Sequence, residues 1–351
     1  MASTIRQTLG STGIDVPSVV FGTSALGNLY ENVEQERKKH IVSECLRHVE
    51  APVVFDSAGK YGAGMALEKL GAILAELGVA PSDVVISNKL GWRRTPLTGP
   101  EPTFERGVWF GLEHDAVADI SYDGILRCFD EGCELLGNSY IPQLVSVHDP
   151  DEYLAAAVDA SDRRRRMDDV IGAYDALFEL KSKGVVRGVG IGSKDWTVIE
   201  GLWSEVKFDW VMLACSFTVF THPPELLAFI GDLHRAGVGI INSAVFNAGF
   251  LTGGAYFDYR IPDPSADRQL FSWRNTFHGL CAEHGVTPYD ACIEFGLSAP
   301  GVVALSLNTS KPERVKDNVD AVARTAPHEF WVAMKQSGLI ANDYPHLPKH
   351  D

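Results

Sequence analysis

No stretch of the 351 residues approaches the ~20 consecutive apolar positions that a membrane-spanning helix requires, and no charged-then-apolar leader opens the chain. A cytoplasmic protein with no membrane partner is therefore expected. Positive charge is scarce, with 31 Lys and Arg against 46 Asp and Glu and a formal net charge of −15. A phosphate backbone would meet a repulsive field, so nucleic acid is not an expected partner. The one basic cluster, Arg163 to Arg166, reads as a solvated loop ahead of a helix. The six cysteines form no C-x-x-C pair and fall mostly in strand or helix patterns, as reduced core thiols do. No His/Cys/acid group has ligand spacing, so no metal is expected. Also missing is a G-x-G-x-x-G turn after the first strand, where the chain reads Phe21-Gly22-Thr23-Ser24-Ala25-Leu26-Gly27. That absence disfavours an open, doubly wound dinucleotide fold.

What is present is alternation. Short apolar runs at 16–21, 53–56, 84–89, 143–148, 185–191, 208–215, 239–243 and 302–307 each precede a helical pattern. Eight such repeats predict a (β/α)8 TIM barrel spanning residues 1–351 as a single domain, with chemistry at the C-terminal strand ends. Leu9 to Gly13 reads as a small hairpin flap. Long loops are expected at 91–118 and 249–267, and a C-terminal segment, 326–351, is expected to fold over the barrel.

Three strands end in reactive side chains. Val53-Val54-Phe55-Asp56 leads into a Gly-punctuated turn presenting Tyr61, Val84 to Asn88 ends in Lys89, and Leu144 to Val147 ends in His148. A phenol flanked by an ammonium, a carboxylate and an imidazole can move a proton on and off a carbonyl or alcohol oxygen. An ordinary tyrosine titrates near 10, so service as a base near neutrality calls for about 3–4 kcal/mol of preference for the phenolate. One ammonium about 4 Å away supplies up to about 4 kcal/mol at an effective dielectric of 20, so Lys89 is expected to suffice. After the last strand, Asn308, Thr309, Ser310, Arg314 and Asn318 stand at a helix start suited to an anion. Trp92, Arg93, Trp109 and Phe110, in the 91–118 loop, are candidate substrate residues together with His148, the aromatics suited to stack on sugar faces beside hydrogen-bonding groups.

The chain resembles the aldo-keto reductases. The likeness runs from Leu9-Gly10-Ser11-Thr12-Gly13-Ile14 and Phe21-Gly22-Thr23, through Phe55-Asp56-Ser57-Ala58-x-x-Tyr61-Gly62, Lys89, His148 and Gly188-Val189-Gly190-Ile191-Gly192-Ser193, to Lys311-Pro312-Glu313-Arg314-Val315-x-x-Asn318. It implies a tetrad in which Tyr61 is the proton donor or acceptor, Lys89 and Asp56 tune it, and His148 orients the substrate oxygen. It also implies NAD or NADP contacted by Gly22, Thr23, Asp56, Ser193, Lys194, Ser243, Leu251 and the Asn308–Asn318 stretch. Members that prefer NADPH commonly carry lysine where Asn308 stands, which favours NAD. Three positions depart from the family pattern: Ser243 replaces an aromatic that stacks on nicotinamide, Lys194 replaces an asparagine, and Met212 falls near a usual glutamine.

Within the family the likeness is to sugar 1-dehydrogenases acting on L-fucose or L-galactose, carried by Ile241-Asn242-Ser243-Ala244, Gly249-Phe250-Leu251-Thr252 and Asp123-Gly124-Ile125-Leu126-Arg127. The resemblance implies oxidation of C1 of a cyclic sugar to a lactone. Three alternatives accompany it: NADPH-dependent reduction of aldehydes or ketones, oxidation of pyridoxal, and a non-catalytic regulatory subunit of the same fold.

Overall fold

The computed structural model describes residues 5–258 and 260–347. In chain order the strands are β1 (Arg6–Thr8), β2 (Asp15–Pro17), β3 (Val19–Gly22), β4 (Val53–Ala58), β5 (Val84–Leu90), β6 (Trp92–Pro96), β7 (His114–Ala118), β8 (Leu144–His148), β9 (Gly188–Ser193), β10 (Trp210–Ala214), β11 (Gly239–Ser243) and β12 (Val302–Leu307). The helices are α1 (Gln35–His48), α2 (Met65–Glu76), α3 (Tyr122–Leu135), α4 (Pro150–Ala155), α5 (Ala160–Ser182), α6 (Trp196–Trp203), α7 (Pro224–Arg235), α8 (Arg268–Glu283), α9 (Pro288–Leu297), α10 (Glu313–Ala321) and α11 (His328–Gln336). Strands β3, β4, β5, β8, β9, β10, β11 and β12 pair in that order, all parallel, and β12 closes on β3. The predicted eight-stranded barrel is thus formed.

Strand periodicity then decides which side chains enter it. On β4, Val54 and Asp56 share the inner face; on β5, Val85, Ser87 and Lys89; on β8, Leu144, Ser146 and His148. The apolar member of each set joins Val16, Val20, Trp210 and Ile241 in a cluster filling the barrel's lower half, and the polar member is left at the C-terminal rim. Glycines on β9 make room: a Cβ at Gly190 would lie 2.4 Å from the Trp210 ring, and one at Gly192 would lie 3.1 Å from the Lys89 stem.

The sequence places some boundaries differently. The predicted strand 16–21 divides at Ser18, whose N–H donates to the Ile5 carbonyl, so β2 pairs with β1 and only β3 joins the barrel. That hairpin, carrying Leu9 and Ile14, plugs the bottom of the barrel, opposite the rim. Arg163 to Arg166 are not in a loop: Asp159 caps the Ser161 and Asp162 amides, which starts α5 ahead of them. Pairing of Arg165 with Asp162 and Asp169, and of Arg166 with Asp162, supports the cluster as helix.

The 91–118 stretch is not all loop, because β6 and β7 pair as an antiparallel hairpin through it. The 249–267 stretch holds a 3-10 turn, Phe250–Thr252, and stacks Tyr256 on Tyr30, ring centres 4.3 Å apart. In the C-terminal segment, α11 buries Phe330 and Trp331 beside α8 and α9, and Tyr344 stacks on Phe295 at 4.8 Å. None of its described residues reaches the cavity at the rim, and residues 348–351 of the expected segment lie outside the described residues.

Candidate active site

The rim of the barrel brings Asp56, Tyr61, Lys89 and His148 into one place. The register sets Asp56 opposite Ser87, Ala58 opposite Lys89, and Lys89 opposite Ser146. Asp56 accepts from the Lys89 ammonium and, at 3.1 Å, from the Ser87 hydroxyl. Tyr61 hangs from the turn after β4, where a Cβ at Gly62 would lie 2.4 Å from the Gly27 carbonyl oxygen and a Cβ at Gly27 would lie 2.8 Å from the Tyr61 carbonyl. This contact clips the tyrosine turn to the exit of β3. The Lys89 ammonium lies 4.7 Å from the centre of the Tyr61 ring, and the His148 ring meets Tyr61 edge-on at 5.6 Å.

Burial and charge compete over each group. Burial alone would neutralise Lys89, but Asp56 and then Tyr61 outweigh it and hold the ammonium charged. For Tyr61 the balance runs the other way: burial pushes its pKa up, the Lys89 charge and hydrogen bond pull it down, and the net shift is upward. The expectation that Lys89 alone makes Tyr61 acidic is corrected here, because the sequence conveys the lysine but not how completely the phenol is shut from water. Burial, reinforced by Lys89, Lys60 and Lys194, also drives His148 well below the ordinary histidine range despite Asp149, so the imidazole is neutral at physiological pH. Its Nδ1 has no hydrogen-bond partner among the described residues, and its Nε2 lies 3.6 Å from the Asp149 carboxylate.

A cavity of about 570 Å³ opens from these four residues. Of the residues assigned from sequence to the cofactor, Gly22, Asp56, Lys194, Ser243, Asn308, Thr309, Ser310, Arg314 and Asn318 line it. Thr23, Ser193 and Leu251 do not. Thr23 is turned to the Asp56 carbonyl, Ser193 donates to the Asp195 carbonyl, and Leu251 is wholly buried in the core.

Of the assigned substrate residues only His148 is on the wall. Phe104 packs between Trp92 and Trp109 in tilted ring contacts, with Trp109 6.0 Å from Tyr61. Arg93 pairs with Asp119, and Phe110 is solvent-exposed. The loop aromatics back the tyrosine; they do not face the cavity. Lys194 reaches the wall but pairs with Glu152 at 2.6 Å.

Sequence reasoning missed Tyr30, Glu31, Asp149, Cys215 and Asp258, all on the wall. Asp149 had a usable signal, since it directly follows a rim histidine and precedes a proline. Tyr30 and Glu31 follow the turn-rich exit of the first barrel strand. Cys215 departs from the expectation of core thiols, being half-buried at the end of β10.

A family model for the aldo/keto reductases matches residues 18–338. The chain belongs to the aldo/keto reductase family. Among curated relatives, it is 29% identical to a pyridoxal 4-dehydrogenase of Microbacterium luteolum, over 96% of this chain and 98% of that one. It is 25% identical to a D-threo-aldose 1-dehydrogenase of a Pseudomonas species, over 96% and 99%. Among solved structures, the holo form of a Bacillus halodurans aldo-keto reductase superposes with a TM-score of 0.68 at 19% identity, over 95% of this chain and 96% of that one.

Aldo/keto reductases are oxidoreductases that use nicotinamide nucleotides, and the cavity suits such a group. Its far end gathers Ser310, Lys311 and Arg314 at the start of α10, a donor set for phosphate. The near end is the Tyr61–His148 pair.

Proposed function

We propose that this protein oxidises C1 of a cyclic aldose such as L-fucose, L-galactose or D-arabinose to the lactone, using NAD, with Tyr61 as general base. The observation that carries this reading is the convergence of a buried phenol, a charged lysine and a neutral histidine at the end of a cavity whose wall is polar where it adjoins them. Tyr30, Asp149, Lys194 and Asp258 there can hydrogen-bond a polyhydroxylated ring. His148, neutral, donates to the C1 oxygen and holds it against Tyr61. Tyr61 takes the hydroxyl proton, and Lys89, kept charged by Asp56, stabilises the phenolate. A bound oxidised nicotinamide would supply the hydride acceptor and a further positive charge near the phenol.

The raised pKa of Tyr61 fixes a sign. Below it the phenol is protonated and cannot accept a proton, so oxidative turnover should climb from pH 7 towards 10, about tenfold per unit while the phenol is mostly protonated. Reduction, which needs the protonated form, should not climb. A flat oxidative profile of kcat over that range would count against Tyr61 as the base.

The substrate panel that tests the proposal is L-fucose, L-galactose, D-arabinose and pyridoxal with NAD, set against simple aldehydes with NADPH. NAD-linked sugar oxidation is expected to dominate. A profile dominated by NADPH-linked reduction refutes it. Pyridoxal is the second reading, favoured by the 29% identical relative and by the opposite charges of Lys194 and Asp258 on the wall, which suit a ring bearing an acidic hydroxyl and a basic nitrogen. Both readings share one reaction, because pyridoxal also closes to a cyclic hemiacetal that oxidises to a lactone.

Support for NAD comes from Glu31. Its carboxylate hydrogen-bonds Ser310 and Arg37, which hold its pKa down, and it lines the cavity with Lys311 and Arg314. An anion there can accept from ribose hydroxyls and repels a 2′-phosphate. Glu31→Gln is expected to raise affinity for NADP relative to NAD by about tenfold, a coulombic change of about 1.4 kcal/mol. Unchanged relative dissociation constants in fluorescence titration would remove the 2′ site from this end.

A further inference from the structure

Lys60, the residue before Tyr61, has no place in the proton chemistry above, yet it is only 1% exposed. Its ammonium lies 2.7 Å from Glu152, 2.8 Å from Glu105 and 3.2 Å from Asp149. These carboxylates come from two separate places: Glu105 from residues 97–113 between β6 and β7, and Asp149 and Glu152 from the N-cap and first turn of α4. They approach within 4.8 Å of one another, a spacing at which like charges repel unless a proton or a cation lies among them. Here the cations are lysines: Lys60 among all three, and Lys194 2.6 Å from Glu152 and 3.5 Å from Glu105.

We infer that Lys60 is a positioning residue that fastens the 97–113 segment and Asp149 in place around Tyr61 and His148. Two consequences follow from the geometry. Glu105 accepts from the Trp109 indole at 2.8 Å, and Trp109 packs against Tyr61, so holding Glu105 sets the surface behind the reacting phenol. Asp149 stands beside His148, so the lysine that neutralises Asp149 also keeps the imidazole from charging. The groups facing His148 are Asp149 on its own segment, Lys89 and Tyr61 from the neighbouring strand ends, and Lys60 and Lys194. Lys60 also lies 4.9 Å over the Trp92 ring, which closes its burial from the hairpin side.

The test needs no substrate and no cofactor, so a failed sugar panel leaves it standing. His148 is followed by NMR titration, its ring signals assigned with His148→Gln, and release of the segment is followed by the rate of tryptic cleavage after the exposed Arg106. In Lys60→Met, Asp149 loses its nearest counter-charge, so His148 should titrate about one pH unit or more higher. Cleavage after Arg106 should quicken about tenfold or more. Adding Asp149→Asn should return the histidine titration to that of the unmodified protein without restoring the slow cleavage. A folded Lys60→Met protein with unchanged titration and unchanged cleavage overturns the inference. Where Lys60→Met does not fold, Glu105→Gln decides it: faster cleavage after Arg106 supports the clasp, and unchanged cleavage overturns it.

Discussion

Tyr61→Phe is expected to lower turnover by about 10²–10⁴-fold, the contribution of a positioned acid–base group, while dinucleotide affinity by fluorescence quenching stays within about twofold. The substitution removes one hydroxyl and keeps the ring. Packing against Trp109 and the edge contact with His148 are therefore retained, as is the Gly27–Gly62 approach that sets the turn. Ser310, Lys311 and Arg314 follow β12, whereas this hydroxyl hangs from the turn after β4. Parallel loss of binding and turnover would instead make Tyr61 a structural residue.

Lys89→Met should have the largest effect on stability as well as abolishing the phenolate's partner. Asp56 and Lys89 are each only 2% exposed, and without the ammonium the Asp56 carboxylate keeps the Ser87 hydroxyl as its one side-chain donor. Removing one member of a buried pair costs about 3–5 kcal/mol, enough to lower Tm by about 5 °C in a chain of this size. The companion variant Lys89→Met/Asp56→Asn removes both charges and should recover much of that stability, because no uncompensated carboxylate remains. Turnover should not recover, since the phenol still lacks its cation. Thermal denaturation and steady-state rates on both variants check this; a double variant that regains activity would show that the lysine serves only to neutralise Asp56.

The barrel was legible because its signals are local. Val53-Val54-Phe55, Val84-Val85-Ile86 and Leu144-Val145 announce strands by composition, and the period of two places Asp56, Lys89 and His148 at the inner rim before any contact is known. Tyr61 was legible from the Gly-punctuated turn that follows β4. What the sequence could not convey depends on what meets what across the fold. Lys60 is unremarkable in Gly59-Lys60-Tyr61 until Glu105, Asp149 and Glu152 converge on it from 45 to 92 residues away along the chain. Trp92 and Trp109 look like sugar platforms in a loop; instead the β6–β7 pairing holds Trp92 against Phe104, and a bridge to Leu29 holds Trp109 against Phe104 and the back of Tyr61. The sign of the Tyr61 shift was out of reach because it is a difference between an attraction, readable as Lys89, and a burial that only the closed barrel produces. Arg163 to Arg166 misled through composition: four cations in a row read as loop until Asp159, Asp162 and Asp169 are seen to cap and pair them as helix.

The central claim is that a hydroxyl on a hemiacetal carbon gives up its proton to Tyr61 as that carbon is oxidised. The most direct measurement is the initial rate of NADH formation from L-fucose and from its methyl glycoside, assayed side by side at pH 9. The account predicts steady NADH formation from the free sugar and none above background from the glycoside, whose C1 oxygen carries no proton to remove. Equal rates from the two would place the oxidation at another carbon and contradict it.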